Sequence, residues 1–280
     1  MANGQRTVLI TGATDGAGRW VAERLGAAGA QVLVHGRDEA RAGQVLAAIR
    51  RAGGSGQFYR ADFSSLEQVR ALAAEIRRDH PRLDVLVNNA GIGFGAPGAG
   101  RELSGDGHEL RFAVNYLAGF LLTRLLLPLL QASRPARIVN VASIGQEPLD
   151  FADPMLARGY SGIRAYRQSK LAQVMFTFDL ADQLRGTGVT VNCLHPATFM
   201  DTGMVRSAGV TPASTVAEGA GAILRLVLDD QLADTTGQYF DQQRPARANA
   251  QAYDAEARAR LRRLSDELAG AGIPRGFDRA

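Results

Sequence analysis

Short apolar runs, rich in β-branched residues or leucine, recur along the chain and alternate with longer segments of helical periodicity. The strand-like runs are residues 7–11, 31–35, 84–88, 137–142 and 189–194, with a last one at 238–240. The helix-like segments are residues 19–28, 39–52, 66–78, 109–131, 164–185 and 214–228. Because the central strands of a parallel sheet are buried on both sides, this alternation predicts an α/β fold: a doubly wound parallel sheet with helices on both faces.

The C-terminal part carries one more helical pattern, over about residues 249–269. Its apolar or amphipathic positions recur every three or four residues and are Tyr253, Ala257, Leu261, Leu264 and Leu268. Because no linker or internal repeat divides the sequence, we predict a single domain over residues 1–280 with a C-terminal helical extension. We interpret the basic face of this helix as solvated rather than as a site for an anionic partner. That face consists of Arg258, Arg260, Arg262 and Arg263.

Composition limits the classes of partner and the compartment. Of the 280 residues, 46% are hydrophobic and 21% charged, as is typical of a soluble folded protein. The 32 basic residues are scattered among 28 acidic ones, so the net charge of +4 gives little support for nucleic-acid binding. The one cysteine, Cys193, excludes an intrachain disulfide and fits a reducing compartment, so we expect a cytoplasmic protein.

Neither a membrane segment nor a metal site is expected. The longest apolar run, residues 117–130, contains Arg124 and Pro128 and is shorter than the roughly 20 residues of a membrane-spanning helix. The first residues lack the basic start and apolar run of a signal peptide. The four histidines lie far apart in the sequence and without the spacing of metal ligands.

A glycine-rich turn, TGATDGAG at residues 11–18, follows the first predicted strand and precedes the first helix. Glycine is needed where a chain turns sharply, where a diphosphate approaches the backbone, and where a helix packs closely on a strand. The helix N-terminus then offers free N–H groups to phosphates. A turn without a ligand is the alternative, but this context favours a dinucleotide-binding Rossmann fold. The turn would contribute Thr11, Gly12, Thr14, Asp15, Gly16, Ala17 and Gly18.

The end of the second predicted strand, His35-Gly36-Arg37, indicates which dinucleotide binds. An acidic residue here would hold the ribose hydroxyls of NAD and repel a further phosphate, whereas Arg37 offers a planar cation to a 2′-phosphate. The sequence therefore favours NADP(H) as cofactor, with an ordinary surface arginine as the alternative. Residues just before the helix-like segment 66–78 and directly after the run 84–88 are expected to complete the cofactor site. They are Asp62, Phe63, Asn89, Ala90 and Gly91.

Tyr166 and Lys170 lie four residues apart in a predicted helix and therefore share one face of it. A phenol has a pKa near 10, and lowering it by about three units for acid–base chemistry at neutral pH takes roughly 4 kcal/mol. A nearby lysine and a cationic nicotinamide would supply that stabilisation. Taken alone, such a pair of residues is common by chance.

With the glycine turn, four further motifs resemble the short-chain dehydrogenase/reductase family from about residue 7 to beyond residue 240. In order, they are NNAG at 88–91, Asn115, Ser143 and YxxxK at 166–170. The resemblance implies an oxidoreductase in which Tyr166 exchanges a proton with the substrate oxygen and Ser143 hydrogen-bonds that oxygen. It also implies that Lys170 lowers the pKa of Tyr166 and holds the nicotinamide ribose, and that Asn115 orders a proton-relay water. Tyr166 and Lys170 thus belong to the cofactor site as well.

Two details narrow the resemblance. Between Ser143 and Tyr166 lie 22 residues, more than is usual in the family, and the insertion at 146–164 resembles that of retinol dehydrogenases and their light-dependent and WW-domain relatives. After the strand-like run 189–194, where the family usually has Pro-Gly and then a threonine, this chain has Pro196-Ala197 with Thr198 and Thr202. We assign Pro196 and both threonines to the cofactor site and leave open which threonine meets the nicotinamide amide.

Three segments leave the carboxyl ends of predicted strands, where open α/β sheets bind ligands: residues 93–100, 146–164 and 198–211. We expect them to cover the nicotinamide, the last two as lids. Their apolar side chains favour a lipophilic or aromatic ketone, aldehyde or secondary alcohol, and the candidates are Phe94, Phe151, Met155, Phe199 and Met204. Charged residues of the insertion leave a sugar or a small polar metabolite as the alternative.

The remaining expectations concern partners and turnover. A small-molecule substrate is expected, without nucleic acid or membrane. Many short-chain dehydrogenases pair through the helices that would hold Asn115 and Tyr166, so a homodimer is expected unless the insertion or the terminal helix covers that face. A catalytically idle NADP-binding sensor or scaffold is the alternative function, and the complete set of catalytic residues argues against it.

Overall fold

One mainly parallel sheet organises the part of the chain that the computed structural model describes, residues 5–96 and 98–270. The strand order is β3-β2-β1-β4-β5-β6-β7-β8, and every neighbouring pair runs parallel except β7 and β8. The strands are β1 (Thr7–Ile10), β2 (Gln31–Gly36), β3 (Ser55–Arg60), β4 (Val85–Asn88), β5 (Ala136–Val141), β6 (Val189–His195), β7 (Tyr239–Asp241) and β8 (Arg244–Pro245).

Helices fill the connections between the strands. They are α1 (Gly16–Ala27), α2 (Glu39–Arg51), α3 (Leu66–Asp79), α4 (Leu110–Phe112), α5 (Ala118–Ala132), α6 (Gly162–Gln183), α7 (Gly203–Ser207), α8 (Val216–Leu228) and α9 (Ala255–Ala269). A π-helical turn at Ala113–Leu117 joins α4 to α5, so that Leu110–Ala132 is one continuous helix. The doubly wound α/β fold predicted from the alternation of strands and helices is confirmed.

The two faces of the sheet bury separate apolar clusters. Successive strand residues point to opposite faces, and in β1 Val8 and Ile10 pack into a cluster with residues of α1, α2 and α8. Leu9, between them, packs into the cluster that contains residues of α3, α5 and α6. Burial on both sides is the reason that the central strands are continuous apolar runs in the sequence.

The edge strands are the part of the sheet that the hydrophobic pattern does not predict. β3 is absent from the predicted runs because it reads SGQFYR and only Tyr59 in it is buried. β8 has two residues, both exposed. An edge strand packs on one side only, so its sequence carries a weaker apolar signal than that of a central strand.

The helix Leu110–Ala132 is long and apolar enough to cross a membrane by length and composition alone. Its most apolar window is 78% buried inside the domain, where it packs against α3 and β4. The apolar run that the sequence presents at 117–130 is therefore accounted for by core packing, which buries Leu121, Leu122, Leu126 and Leu130.

The C-terminal helical extension begins later than predicted. Residues Ala250–Tyr253 form a 3-10 helix, and Asp254 then caps α9 by accepting hydrogen bonds from the N–H groups of Glu256 and Ala257. The predicted stripe packs on α6, with Ala257 and Leu261 buried. The single domain predicted over residues 1–280 includes residues 1–4, 97 and 271–280, which lie outside the described residues.

The basic face of α9 is only in part the solvated face that we inferred from the sequence, since Arg260 and Arg263 are exposed but Arg258 and Arg262 are paired. Arg262 pairs with Asp179 of α6 at 2.8 Å, and Arg258 pairs with Asp182 at 3.1 Å. The Arg260 guanidinium lies over a phenylalanine ring of the insertion, 4.7 Å from its centroid. Arg258 and Arg262 thus bind carboxylates of α6, so the anionic groups that match these two arginines belong to this same chain.

α9 also covers part of the face through which we expect a homodimer. The Tyr116 hydroxyl, next to Asn115 in the π-helical turn, shares a hydrogen bond of 2.7 Å with the buried Ser265 hydroxyl of α9. The same helix packs along α6, which carries Tyr166. Pairing through this face would require α9 to move, so the homodimer stays a prediction and this surface gives it no support.

Candidate active site

The predicted site residues meet at one edge of the sheet. The strand order reverses between β1 and β4, and ligands of open α/β sheets bind outside the carboxyl ends of the strands at such a point. The glycine turn leaves β1, the residues that follow β4 and β5 lie beside it, and α6 brings Tyr166 and Lys170 to the same edge. The structure thus brings the candidate residues for cofactor binding and for catalysis to a single crevice.

The glycine turn is shaped as a cradle that side chains would fill. Gly12 and Gly16 have φ of +64° and +53°, a conformation that other residues rarely adopt. A Cβ on Gly18 would lie 2.3 Å from the carbonyl oxygen of Gly12, and a Cβ on Gly12 would lie 2.9 Å from the Cα of Ala90. Bare backbone next to the α1 N-terminus is what a diphosphate needs, so the turn fits a dinucleotide.

Thr11 and Asn89 brace this turn from inside the protein. The Thr11 hydroxyl oxygen accepts hydrogen bonds from the N–H groups of Asn89 and Ala90, both at 2.9 Å. The Asn89 amide donates in return to the carbonyl oxygens of Thr11, at 2.8 Å, and Gly12, at 3.1 Å. These two predicted cofactor residues therefore shape the backbone of the cofactor site.

His35 has a role in the site that the sequence analysis does not assign. Its Nδ1 accepts a hydrogen bond from the Gly12 N–H at 3.2 Å, and its Nε2 lies 3.1 Å from the Ala61 carbonyl oxygen. This pairing requires the neutral ring with its proton on Nε2. Burial is the main reason that the pKa of His35 falls to about 4. Neutral His35 thereby ties the glycine turn to the segment after β3.

The charged residues near the end of β2 pair with one another. Arg37 is exposed and lies 3.5 Å from the Asp62 carboxylate. Burial alone would raise the pKa of Asp62, but hydrogen bonds from Ser64 and the charge of Arg37 lower it. Arg41, which the sequence analysis does not single out, lies 3.0 Å from Asp15 of the glycine turn.

The remaining aromatic candidate at this end, Phe63, is buried and stacks on the His35 ring, with centroids 4.3 Å apart. The two exposed cations of this region, Arg37 and Arg41, each pair with a carboxylate of the predicted cofactor site, Asp62 and Asp15 respectively.

Tyr166 and Ser143 form the hydroxyl pair of the site. Burial raises the pKa of Tyr166, and a hydrogen bond with the Ser143 side chain lowers it, with a net rise. The Ser143 Oγ also accepts the Gly145 N–H at 3.1 Å, and its carbonyl accepts the Tyr239 hydroxyl at 3.3 Å. The serine is thereby fixed at the end of β5 beside the phenol.

Lys170 lies fully inside the protein, with its Nζ 5.8 Å from the centre of the Tyr166 ring. It donates hydrogen bonds of 2.9 Å to the Val141 carbonyl and to Oε1 of Gln173, a neighbour that the sequence analysis does not identify. Burial lowers the pKa of Lys170 to about 7. The surrounding protein thus raises the pKa of Tyr166, whereas the resemblance implied that Lys170 would lower it.

The Asn115 side chain fixes the backbone after β4. Its Oδ1 accepts the Ile92 N–H at 2.7 Å, and its Nδ2 donates to the Ile92 carbonyl at 3.1 Å and to the Ser169 hydroxyl at 3.0 Å. The side chain therefore joins the segment after β4 to α6, one residue from Lys170. Its expected role with a relay water stays a prediction.

The segment after β6 places the two candidate threonines differently. Thr198 follows the buried Pro196, and its hydroxyl lies 3.1 Å from Nε2 of His195. Thr202 caps α7, and a Cβ on Gly16 would lie 3.2 Å from its methyl group. Thr202 is thus in contact with the glycine turn and Thr198 with the end of β6.

The candidate substrate residues divide into two groups. Phe94 packs edge-on against Tyr166, with ring centroids 6.1 Å apart, and Met204 touches the same loop, since a Cβ on Gly93 would lie 3.0 Å from its Cγ. Phe199 is exposed and has a positive φ. Phe151 and Met155 instead pack against the apolar core and fasten the insertion to it. Their assignment to a substrate wall stays a prediction.

Comparisons with known proteins agree on one family. Residues 6–212 match the family model described as short chain dehydrogenase. Retinol dehydrogenase 14 of Mus musculus is 36% identical over 292 residues, covering 95% of this chain and 86% of that protein. Retinol dehydrogenase 13 of Homo sapiens is 35% identical over 289 residues, with 96% and 86% covered.

Solved structures agree with the fold. A protein of uncharacterised function from Mycobacterium paratuberculosis superposes with a TM-score of 0.79 at 30% identity, covering 96% of this chain and 95% of that one. A short-chain dehydrogenase from Escherichia coli CFT073, solved in complex with NADPH, has a TM-score of 0.69 at 32% identity, covering 85% and 96%.

Proposed function

Because the chain belongs to the short-chain dehydrogenase family and is thus an oxidoreductase of CH–OH and C=O groups, we propose that it uses NADP(H) and acts on lipophilic or aromatic carbonyl compounds or their alcohols. One observation carries the proposal. The Ser143 side chain lies beside the Tyr166 phenol, and the Lys170 ammonium is 5.8 Å from the centre of that ring, at the edge of the sheet where the glycine turn lies.

In the proposed reaction, the cofactor supplies or accepts a hydride at the substrate carbon. The Tyr166 hydroxyl donates a proton to the carbonyl oxygen during reduction and removes it during oxidation, and the Ser143 hydroxyl holds that oxygen by a hydrogen bond. Lys170, when protonated, favours the phenolate of Tyr166 through its charge. Asn115 keeps the Ile92 backbone in place and orders the water that returns the proton to solvent.

The preference for NADP(H) follows from charge. No carboxylate ends β2, and Arg37 and Arg41 are two exposed cations near the point where a 2′-phosphate would lie. The Arg37 guanidinium already pairs with Asp62 at 3.5 Å, so it is held at this end of the crevice. A similar Escherichia coli short-chain dehydrogenase was solved with NADPH, which supports the same choice.

Replacing Arg37 by glutamate is expected to weaken NADPH binding by at least about 1–2 kcal/mol, through lost attraction and new repulsion. The dissociation constants for NADPH and NADH would be measured by fluorescence titration, and that for NADH should change little. Arg50→Glu, at the far end of α2 and also exposed, is the matched control. A wild-type protein that binds NADH more tightly than NADPH would contradict the assignment.

A panel of carbonyl compounds with NADPH distinguishes the enzyme from an idle NADP-binding sensor. If the protein is an enzyme, we expect it to oxidise NADPH with at least one member of the panel, at a rate that depends on the carbonyl concentration. Binding of NADPH with no oxidation across aldehydes, ketones and sugars would favour the sensor instead.

The apolar walls of the crevice support a bulky apolar substrate. Four exposed apolar side chains lie on the segments that leave β5 and β6 or at the start of α6: Ile144, Ile163, Phe199 and Met204. Phe94 stands against Tyr166 itself. Exposed apolar side chains at the carboxyl edge of the sheet are what an apolar ligand would cover.

Catalytic efficiency is expected to rise along a series of carbonyl substrates of increasing apolar size. Each further buried CH₂ group should gain up to about 0.8 kcal/mol, which is roughly fourfold in kcat/KM. Methyl ketones of growing alkyl chain length with NADPH provide the measurement, and a series of hydroxylated ketones of matched length is the control. A flat or falling profile for the alkyl series would reject an apolar pocket.

A further inference from the structure

Three polar side chains that the proposed chemistry does not use lie together beneath the crevice. Arg111 of α4 donates a hydrogen bond of 2.9 Å to the Tyr160 hydroxyl, and that hydroxyl donates one of 3.1 Å to Oε1 of Glu109. The side chains of Arg111 and Glu109 are only 3% and 2% exposed, and their charged atoms lie 3.6 Å apart. Burial and proximity to Glu109 raise the pKa of Tyr160 to about 12, so its hydroxyl keeps its proton.

This cluster joins three segments of the chain. Glu109 caps α4 by accepting the Phe112 N–H at 2.7 Å, in the helix that continues to Asn115. Arg111 reaches the loop after β4, where its Nε donates to the Gly93 carbonyl at 3.3 Å. Tyr160 lies in the C-terminal part of the insertion, two residues before α6 begins. The loop, the insertion and the helix of Asn115 are thus held at one point.

The loop itself has little room to shift. A Cβ on Gly162 at the start of α6 would lie 2.1 Å from the Phe94 carbonyl oxygen. Gly95 has φ of +86°, and a Cβ there would lie 2.7 Å from Nη2 of Arg111. The two glycines allow the loop to pack directly on α6 and on the arginine, so the position of Arg111 is transmitted to the backbone around Phe94.

Phe94 connects this packing to the chemistry. Its ring stands edge-on to Tyr166 at 6.1 Å, on the residue that we assign as proton donor. Burying a charged group costs free energy unless its partners are in place, so the cluster tolerates few arrangements. It therefore restricts the positions of the loop that it holds.

We propose that Glu109, Arg111 and Tyr160 form a clasp that positions Phe94 and the insertion, and thereby sets the KM for bulky apolar substrates. These three are positioning residues, because none of them touches Tyr166. The substrate in this proposal rests on the proposed function. The clasp also has a structural consequence, the attachment of the insertion, which does not depend on that function. Near its C-terminal end, the insertion is tied to Glu109 and Arg111 through the Tyr160 hydroxyl.

Tyr160→Phe removes that hydroxyl and keeps the ring. We expect the KM for 2-acetylnaphthalene with NADPH to rise about tenfold, the change that corresponds to one lost hydrogen bond to a charged group. The value of kcat should stay within about twofold, and the dissociation constant of NADPH should not change. Glu109→Gln, which retains an oxygen acceptor but removes the charge next to Arg111, is a second variant with the same expected direction.

Limited trypsin digestion provides a readout that needs no turnover. Arg158 lies two residues before Tyr160 and its side chain is 84% exposed. Loosening the clasp should increase the rate of cleavage after Arg158 about tenfold, as measured by mass spectrometry of the fragments. Tyr59→Phe is the matched control. The Tyr59 hydroxyl also donates a hydrogen bond to a carboxylate, Asp79 at 3.1 Å, but Tyr59 lies on β3, away from the insertion.

The two readouts separate this proposal from the proposed function. If the wild-type protein reduces no carbonyl compound, the proposed function fails and the cleavage rate alone tests the clasp, with an unchanged rate overturning it. If the wild-type protein is active, a KM for 2-acetylnaphthalene in Tyr160→Phe within twofold of the wild-type value overturns the proposal, whatever the cleavage rate. A raised KM together with faster cleavage, neither seen in Tyr59→Phe, is the expected result.

Discussion

Replacing Tyr166 by phenylalanine is expected to lower kcat by about 10² or more, which corresponds to roughly 3 kcal/mol of transition-state stabilisation. The change removes the one proton that the phenol would exchange with the substrate oxygen. It keeps the ring, and with it the edge-on contact with Phe94 and the packing beside Lys170. The loss should therefore fall on the chemical step and leave the site intact.

Steady-state kinetics with NADPH and the best carbonyl substrate of the panel measure this effect. The dissociation constant of NADPH should be nearly unchanged, because in our proposal the glycine turn and the region of Arg37 hold most of the cofactor. Tyr253→Phe is the control, since that ring is partly exposed and packs on α6 through Phe178. Unaltered turnover in Tyr166→Phe would remove this residue from its proposed role.

The second large effect is on stability in acid. His35 has a pKa of about 4 in the folded protein against 6.5 for a free histidine. Between these values the unfolded chain binds the extra proton and the folded protein does not, so stability falls as the pH falls. The contribution of His35 is fully present above pH 6.5 and is lost toward pH 4, in total about 3 kcal/mol.

The physical reason is the bond between His35 and Gly12. A protonated imidazole has no free lone pair for the Gly12 N–H, so protonation breaks the tie to the glycine turn and places a charge in a buried site. Urea unfolding at a series of pH values between 4 and 7 would measure the free energy of unfolding. Dissociation of NADPH should increase over the same range, because the turn is the phosphate site that we propose.

His35→Asn isolates this contribution. Asparagine offers an oxygen acceptor in place of Nδ1 but does not titrate, so the variant is expected to lose less stability between pH 6.5 and 4 than the wild-type protein does. His108→Asn, in the loop before α4, controls for the loss of a histidine elsewhere. Parallel stability profiles for His35→Asn and the wild-type protein would show that His35 is not the group responsible.

The family and the fold were predictable because their signals are local. A strand buried on both faces must be a short apolar run, as at β1 and β4, and a helix between strands shows its period within a few turns. The glycine turn and the Tyr166–Lys170 spacing are also local, since a tight turn and one helix face each involve fewer than ten residues. These signals specified the edge of the sheet at which the site lies.

Several properties of the site depend on residues that are distant in the sequence. His35 gave no signal because its partners, Gly12 and Ala61, lie 23 and 26 residues away. The basic face of α9 looked solvated because Asp179 and Asp182 are about 80 residues earlier on α6.

Dependence on residues that are distant in the sequence also explains why the pKa values and the clasp were not predicted. Spacing alone placed Lys170 next to Tyr166, but the pKa of a side chain depends on how much water its neighbours exclude. Packing buries Lys170 and half-buries Tyr166, which lowers the pKa of Lys170 and raises that of Tyr166. Glu109 and Tyr160 meet across 51 residues. The sequence determined the order of strands and helices and the chemistry at their ends, whereas burial and long-range contacts, which only the tertiary structure creates, decided the charge and position of those groups.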